Sequence, residues 1–113
     1  MPVIIRIFGY KIYFWLNESK PLEPVHVHIA ERPRENATKI WILSDGKTVI
    51  ANNNSKIPDH DLHRICKTIE EYHKEIEAEW KQAFGELTHH DKPAQNRRAE
   101  FRDADEQQEE YSR

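Results

Sequence analysis

His26 and His28 stand two apart in Pro24-Val25-His26-Val27-His28-Ile29. In a strand, alternate side chains share a face, so the two imidazoles point the same way. Such a pair can hold a metal ion, move protons, contact a nucleic acid, or do nothing special. A metal ion needs at least a third ligand, and Glu31 leaves the run too soon to supply one. His60 and His63 fall in the first turn of a helix and His89-His90 in a charged tail, so no metal site is expected. Metal-independent RNA cleavage needs a base for the 2′-hydroxyl, an acid for the leaving oxygen and a cation for the phosphate. His26 and His28, with Arg6, Lys11 and Tyr13, supply those types. The plainer alternative is two half-exposed histidines among aromatic neighbours. Cys66 lies on an apolar helical stripe and reads as core rather than nucleophile. The 3 glycines are scattered and make no phosphate-cradling loop, and no cofactor is implied.

The elements that would position these groups fall into three regions. Residues 3–51 carry Val, Ile, Phe, Tyr, Trp and Thr in short alternating runs, which predict strands over 3–8, 10–17, 25–30, 39–44 and 47–51. Gly9-Tyr10 is placed at the first turn, and Asp45-Gly46 marks a tight hairpin. Residues 59–86 have helical periodicity, with Leu62, Ile65, Cys66, Ile69, Ile76 and Trp80 on one stripe; Pro58 and Asp59 suit its start and Gly85 its end. From residue 88 the chain is charged and almost without aliphatic side chains. The expectation is an α+β fold, an antiparallel sheet of four to five strands packed on one long C-terminal helix. Residues 1–87 make the domain, and 88–113 form a tail that is disordered or ordered by a partner.

Strand parity assigns the faces. Pairing Phe8 with Lys11 and Ile7 with Ile12 puts Val3, Ile5, Ile7, Ile12, Phe14 and Leu16 on one face, with Val25, Val27, Ile29, Ile40 and Ile42. One helical stripe can cover that face. The other bears Arg6, Lys11, Tyr13, Trp15, His26, His28, Lys39 and Trp41. Aromatic rings among cations suit base stacking and phosphate contact, and equally suit a protein interface. On this reading Arg6 and Lys11 meet phosphate, Tyr13, Trp15 and Trp41 stack, and His26 and His28 make contacts or move protons.

Composition bounds the function classes. A chain of 113 residues, 33% charged and 37% apolar, makes one domain with one modest core. The formal charge of −3 argues against a strongly basic nucleic-acid binder, although it leaves room for a basic face. A single cysteine excludes an internal disulfide framework and fits a reducing compartment. The opening run carries Arg6 and Lys11 and alternates with period two, unlike a signal peptide, and no run approaches a membrane span. A soluble, cytoplasmic protein is expected.

Arg6 with Gly9-Tyr10, then Tyr13-Phe14, Asn17-Glu18, Pro24 to His28, Lys39-Ile40-Trp41 and the helix through Leu62, Ile65, Ile69, Ile76 and Trp80 resemble a small bacterial family, domain of unknown function 4160. The likeness runs over roughly residues 1–84, with R-x-x-G-Y, Y-F and H-V-H as its most specific signature. Val25 departs from the proline that family members commonly carry before the first histidine, and the stretch after Phe84 lies outside the likeness. Members are similar to toxin components of type II toxin–antitoxin pairs. That resemblance implies a toxin acting on RNA or the translation machinery, inhibited by direct binding of a cognate antitoxin protein. It carries over no catalytic assignment. The rival expectation is a non-catalytic interaction module, including an antitoxin or regulatory partner, that uses the same face and the tail.

Overall fold

The computed structural model describes residues 3–17 and 21–92. They form an α+β fold with a five-stranded sheet in the order β1-β2-β3-β4-β5, each strand antiparallel to the next. The strands are β1 Val3–Ile7, β2 Tyr10–Tyr13, β3 His26–Ala30, β4 Thr38–Ile42 and β5 Thr48–Asn52; the helices are α1 Asp59–Glu71 and α2 His73–Phe84. Ile12, Phe14, Val25, Val27, Ile29, Ile40 and Ile42 from the sheet pack against Leu62, Ile65, Ile69, Ile76 and Trp80 from the helices. Each such side chain contributes about 1.5–3 kcal/mol by leaving water, so this helix-covered face holds the fold together.

The first hairpin turns one residue earlier than expected. Ile7 pairs with Tyr10, Arg6 with Lys11 and Ile5 with Ile12, which leaves Phe8 and Gly9 at the turn. Both have positive φ, 54° and 83°, the requirement of a two-residue turn that follows the strands' twist. Moving the turn by one residue shifts each pairing by two, so parity is preserved and the faces do not exchange. A register irregularity between Val3 and Ile5 adds Ile4 as an extra residue, so Ile4 and Ile5 both pack on the core and Val3 pairs with Tyr13 of the mixed row, not within the apolar row that parity assigned it.

Phe8 is an unusual occupant of that turn. A bulky side chain in the left-handed region costs about 1–2 kcal/mol, and Phe8 is 43% exposed. The Arg64 guanidinium of α1 lies 3.9 Å over its ring, which returns about 0.5–1 kcal/mol. Phe8→Asn, which creates the favoured Asn-Gly pair, should therefore raise stability by about 0.5–1 kcal/mol in urea unfolding. A loss of more than about 0.5 kcal/mol would mean that the Arg64 contact outweighs the backbone strain.

The single long helix expected over 59–86 is two helices. Tyr72, at φ −108° and ψ 19°, leaves the helical well, and its N–H is shared between Thr68 O at 3.1 Å and Ile69 O at 3.2 Å. No Pro or Gly lies between Asp59 and Phe84, so no sequence breaker announces the interruption. Size supplies the reason. A straight helix over these residues would run about 39 Å, whereas five strands span only about 19 Å across a twisted sheet. The break lets Ile65 and Ile69 on one segment and Ile76 and Trp80 on the next all reach full burial. Gly85, at φ 80°, then ends α2 and donates its N–H to Lys81 O.

Residues 88–92, expected in the tail, form a short strap across the end of the sheet. The Val25 N–H donates to Thr88 O at 2.9 Å, and His89 Nε2 lies 2.8 Å from Glu77 Oε2. Asp91 accepts from the Ser44 N–H at 3.0 Å and hydroxyl at 2.8 Å. The Ser44 hydroxyl holds the Asp91 carboxyl below the usual carboxylate range. The rest of the expected tail, from residue 93, lies outside the described residues.

Candidate functional site

The face away from the helices is laid out in cross-strand rows. Arg6 pairs with Lys11, and Lys11 with Ala30. Tyr13, His28, Lys39 and Asn52 make the next row, and His26, Trp41 and Val49 the row below. Trp15 follows β2 and meets Tyr13 edge-on at 5.4 Å. The side chains that parity grouped are therefore neighbours in space, but they do not present one open surface.

Two of them lie beneath the surface rather than on it. Tyr13 is fully buried with Ala30 and Ala37 because the loop over 31–37 folds across it. Its hydroxyl donates to Arg34 O at 3.1 Å and accepts the Arg34 N–H at 3.2 Å. Burial pushes the phenol pKa up, so Tyr13 stays neutral and fastens the loop instead of stacking on a ligand. His26 is 1% exposed. Its ring meets His28 at 5.1 Å, Trp41 at 5.5 Å and the core Trp80 at 5.1 Å, each edge-on. Its Nδ1 lies 3.0 Å from Pro24 O, which fixes that nitrogen as the donor. His26 is a strut between core and surface, with no path to a ligand in this arrangement.

The remaining members reach the surface. His28 is half-buried, 5.8 Å from the Tyr13 ring. Lys39 Nζ lies 4.3 Å from the Trp41 ring centroid and donates to Glu23 Oε1 at 2.6 Å. Trp41 is stacked by His90 of the strap, with centroids 4.5 Å apart and planes within 4°. Arg6 is exposed, and half-buried Lys11 donates to Glu31 O at 3.0 Å.

Sequence reasoning named Arg6 and Lys11 but missed the other cations at the upper end of the sheet. The turn at 8–9 and the loops over 31–37 and 53–58 all emerge there because the strands run as a meander. One cleft of about 350 Å³ is lined by Tyr10, Glu31, Arg32, Arg34, Ser55 and Lys56 among others. A second, of about 340 Å³, is lined by Arg6, Phe8, Gly9, Tyr10 and Lys11 with Ile7. Tyr10 belongs to both. Five cations thus gather at one end of a chain whose formal charge is −3. The signal was present in the sequence as Arg32-Pro33-Arg34 and Lys56, but only the order of the strands brings them beside Arg6 and Lys11.

A third cleft, of about 410 Å³, separates α1 from β5 and is lined by Thr48, Ile50, Leu62, His63, Cys66 and Glu70, with Asp59 and Lys67. Glu70 accepts from both the N–H and the hydroxyl of Thr48. Burial raises the Cys66 pKa, which suits a packed thiol rather than a nucleophile. Among the described residues, no group of three or more His, Cys, Asp and Glu is placed to hold a metal ion, and no helix is long and apolar enough to cross a membrane.

Comparison with curated proteins and with solved structures finds no match. A family model does match, over residues 9–81, from the first turn through β2 to β5, α1 and most of α2. The chain belongs to the family described as domain of unknown function (DUF4160).

Proposed function

We propose that the protein is the toxin component of a type II toxin–antitoxin pair that binds RNA, alone or within the translation machinery, and is held inactive by a cognate antitoxin. The observation that carries this reading is the pair of clefts that share Tyr10 and are lined by Arg6 and Lys11 on one side and by Arg32, Arg34 and Lys56 on the other. Cations clustered at one end of the sheet suit a phosphate backbone. The resemblance to toxin-like members of the family points in the same direction.

The reading is one of binding rather than cleavage. Transesterification needs a base and an acid, each within reach of the ribose-phosphate. Of the His26–His28 pair, only His28 reaches the surface. A metal-independent endoribonuclease would need a second proton-transfer group supplied from elsewhere on that face.

Induced expression should arrest bacterial growth, and purified protein should bind single-stranded RNA with strong salt dependence. Arg6→Glu, Arg32→Glu and Lys56→Glu together should weaken that binding on the order of 10- to 100-fold and abolish arrest. Among the described residues no hydrogen bond to these three side chains is found, so circular dichroism should remain that of the parent. Undiminished arrest by the triple variant would remove the cationic end from the mechanism. Healthy growth at high expression of the parent would remove the toxin reading itself.

A second reading, a protein-interaction module, is favoured by β5. It is an edge strand, and it exposes Val49 (41%) on one face and Ile50 (47%) on the other, beside the cleft against α1. An added partner strand would pair with that edge and seat a side chain in the cleft. The two readings are compatible if the antitoxin is the partner that binds there.

A further inference from the structure

His90 lies flat on Trp41, and the contacts around it suggest why. Its neighbours anchor the strap: Thr88 to Val25, His89 to Glu77 and Asp91 to Ser44. His90 itself is exposed, and among the described residues its ring has no hydrogen-bond partner. Among the described residues, stacking on Trp41 is the contact that holds it. The ring can therefore leave Trp41 by rotating about its own side-chain bonds while the strap stays in place, a fast motion for an exposed side chain.

The platform beneath is rigid. Trp41 is held from below by the buried His26 ring, itself seated against Trp80. The Lys39 ammonium lies over its ring, 4.3 Å from the indole centroid, with Glu23 as its counter-ion. A fixed indole that carries an ammonium over its ring and a coplanar heteroaromatic ring stacked on it is a geometry in which a base can stack with a cation close by. We infer that Trp41 with Lys39 is a nucleobase-stacking subsite and that His90 occupies it as an intramolecular stand-in for the base. The inference rests on the RNA-binding reading and gives it a second contact point, on the sheet face below the cationic end. The family match ends at residue 81, so the gating ring lies beyond the matched residues.

The test uses the full chain and a fluorescently labelled twelve-nucleotide oligoadenylate RNA. Base–aromatic stacking predicts that Trp41→Ala weakens binding about 10-fold or more. Removing the competing ring predicts that His90→Ala tightens it about 3- to 10-fold. In the unaltered protein, the His90 ring-proton resonances should be displaced by the indole ring current and should move back on saturation with the RNA. That readout needs no variant and would not respond if His90 were only a structural anchor. Unchanged or weaker binding by His90→Ala, or His90 resonances indifferent to RNA, overturns the subsite. If the triple charge variant still loses affinity in that case, the RNA reading survives without it. If neither the parent nor His90→Ala binds the oligonucleotide, both readings fall. A Trp41→Ala defect confined to a protein partner, with RNA binding intact, also overturns the subsite and assigns the indole to a protein interface.

Discussion

Trp80→Ala should cost about 3–5 kcal/mol, the largest loss expected from any single substitution in this chain. Trp80 is fully buried, with the Phe84 ring at 4.6 Å and the Phe14 and His26 rings each at 5.1 Å. It joins α2, the end of β2 and the start of β3, and no smaller side chain can span all three. A domain of this size has about 5–15 kcal/mol in total, so the variant should melt roughly 15–30 °C lower. One detail sharpens the prediction. The Trp80 indole N–H is buried and finds no acceptor among the described residues, a penalty of about 1–3 kcal/mol already present in the parent. Trp80→Phe removes that penalty while keeping an aromatic ring, so it should lose less than half of what Ala loses. Equal losses from Phe and Ala in thermal and urea unfolding would show that the second ring of the indole, not aromatic packing in general, supports the core.

The same residue explains the two histidines. His26 touches Trp80 on its inner side and Trp41 on its outer side, so core packing sets the tilt of the surface indole. His28, two residues along the strand, stays half-exposed beside Lys39. Alternation placed both imidazoles on one face, yet the two differ in depth and therefore in what they can do. Trp80→Ala should accordingly loosen Trp41 as well, visible as loss of the His90 ring-current displacement at temperatures where the variant is still folded.

Period-two alternation in Val25 to Ile29 and in Ile40 to Ile42 was enough to separate the core face from the mixed face, because burial on one side fixes parity strongly. It was blind to depth, since what covers Tyr13 and His26 comes from elsewhere in the chain: Arg34 by way of its loop, and Trp80 from α2. The first turn was misplaced because Phe8 is a poor candidate for positive φ, and the Arg64 contact that compensates is 56 residues away. The helix break at Tyr72 had no local cause to read; it follows from sheet width. The cationic end illustrates the same limit. Arg6, Arg32 and Lys56 are far apart in sequence and meet only through the meander. Residues 88–92 looked like tail because their contacts are polar and stacking ones, which leave no apolar pattern.

Gly46→Ala should also be strongly damaging, at about 2–4 kcal/mol, from two separable causes. Gly46 closes the β4–β5 turn with φ 87°, donating its N–H to Leu43 O at 2.9 Å while Lys47 N–H returns to Asp45 Oδ1. Any side chain there accepts the left-handed penalty of about 1–2 kcal/mol. The second cause is space. A Cβ at Gly46 would lie 2.6 Å from His73 Nε2, 2.7 Å from Cδ2 and 2.9 Å from Cε1. The imidazole must turn to make room, and its half-buried place at the start of α2, with Nδ1 3.5 Å from Glu77, limits where it can go. A double-mutant cycle separates the two. Asn tolerates positive φ but carries the same Cβ, so Gly46→Asn should recover only the backbone part. His73→Ala removes the obstructing ring, so Gly46→Ala made in that background should cost only the backbone penalty, about 1–2 kcal/mol. The expected coupling is at least about 1 kcal/mol. Additive losses would mean that the hairpin relaxes away from α2 on its own, and that the close seat of His73 on Gly46 does not hold the turn against the helix.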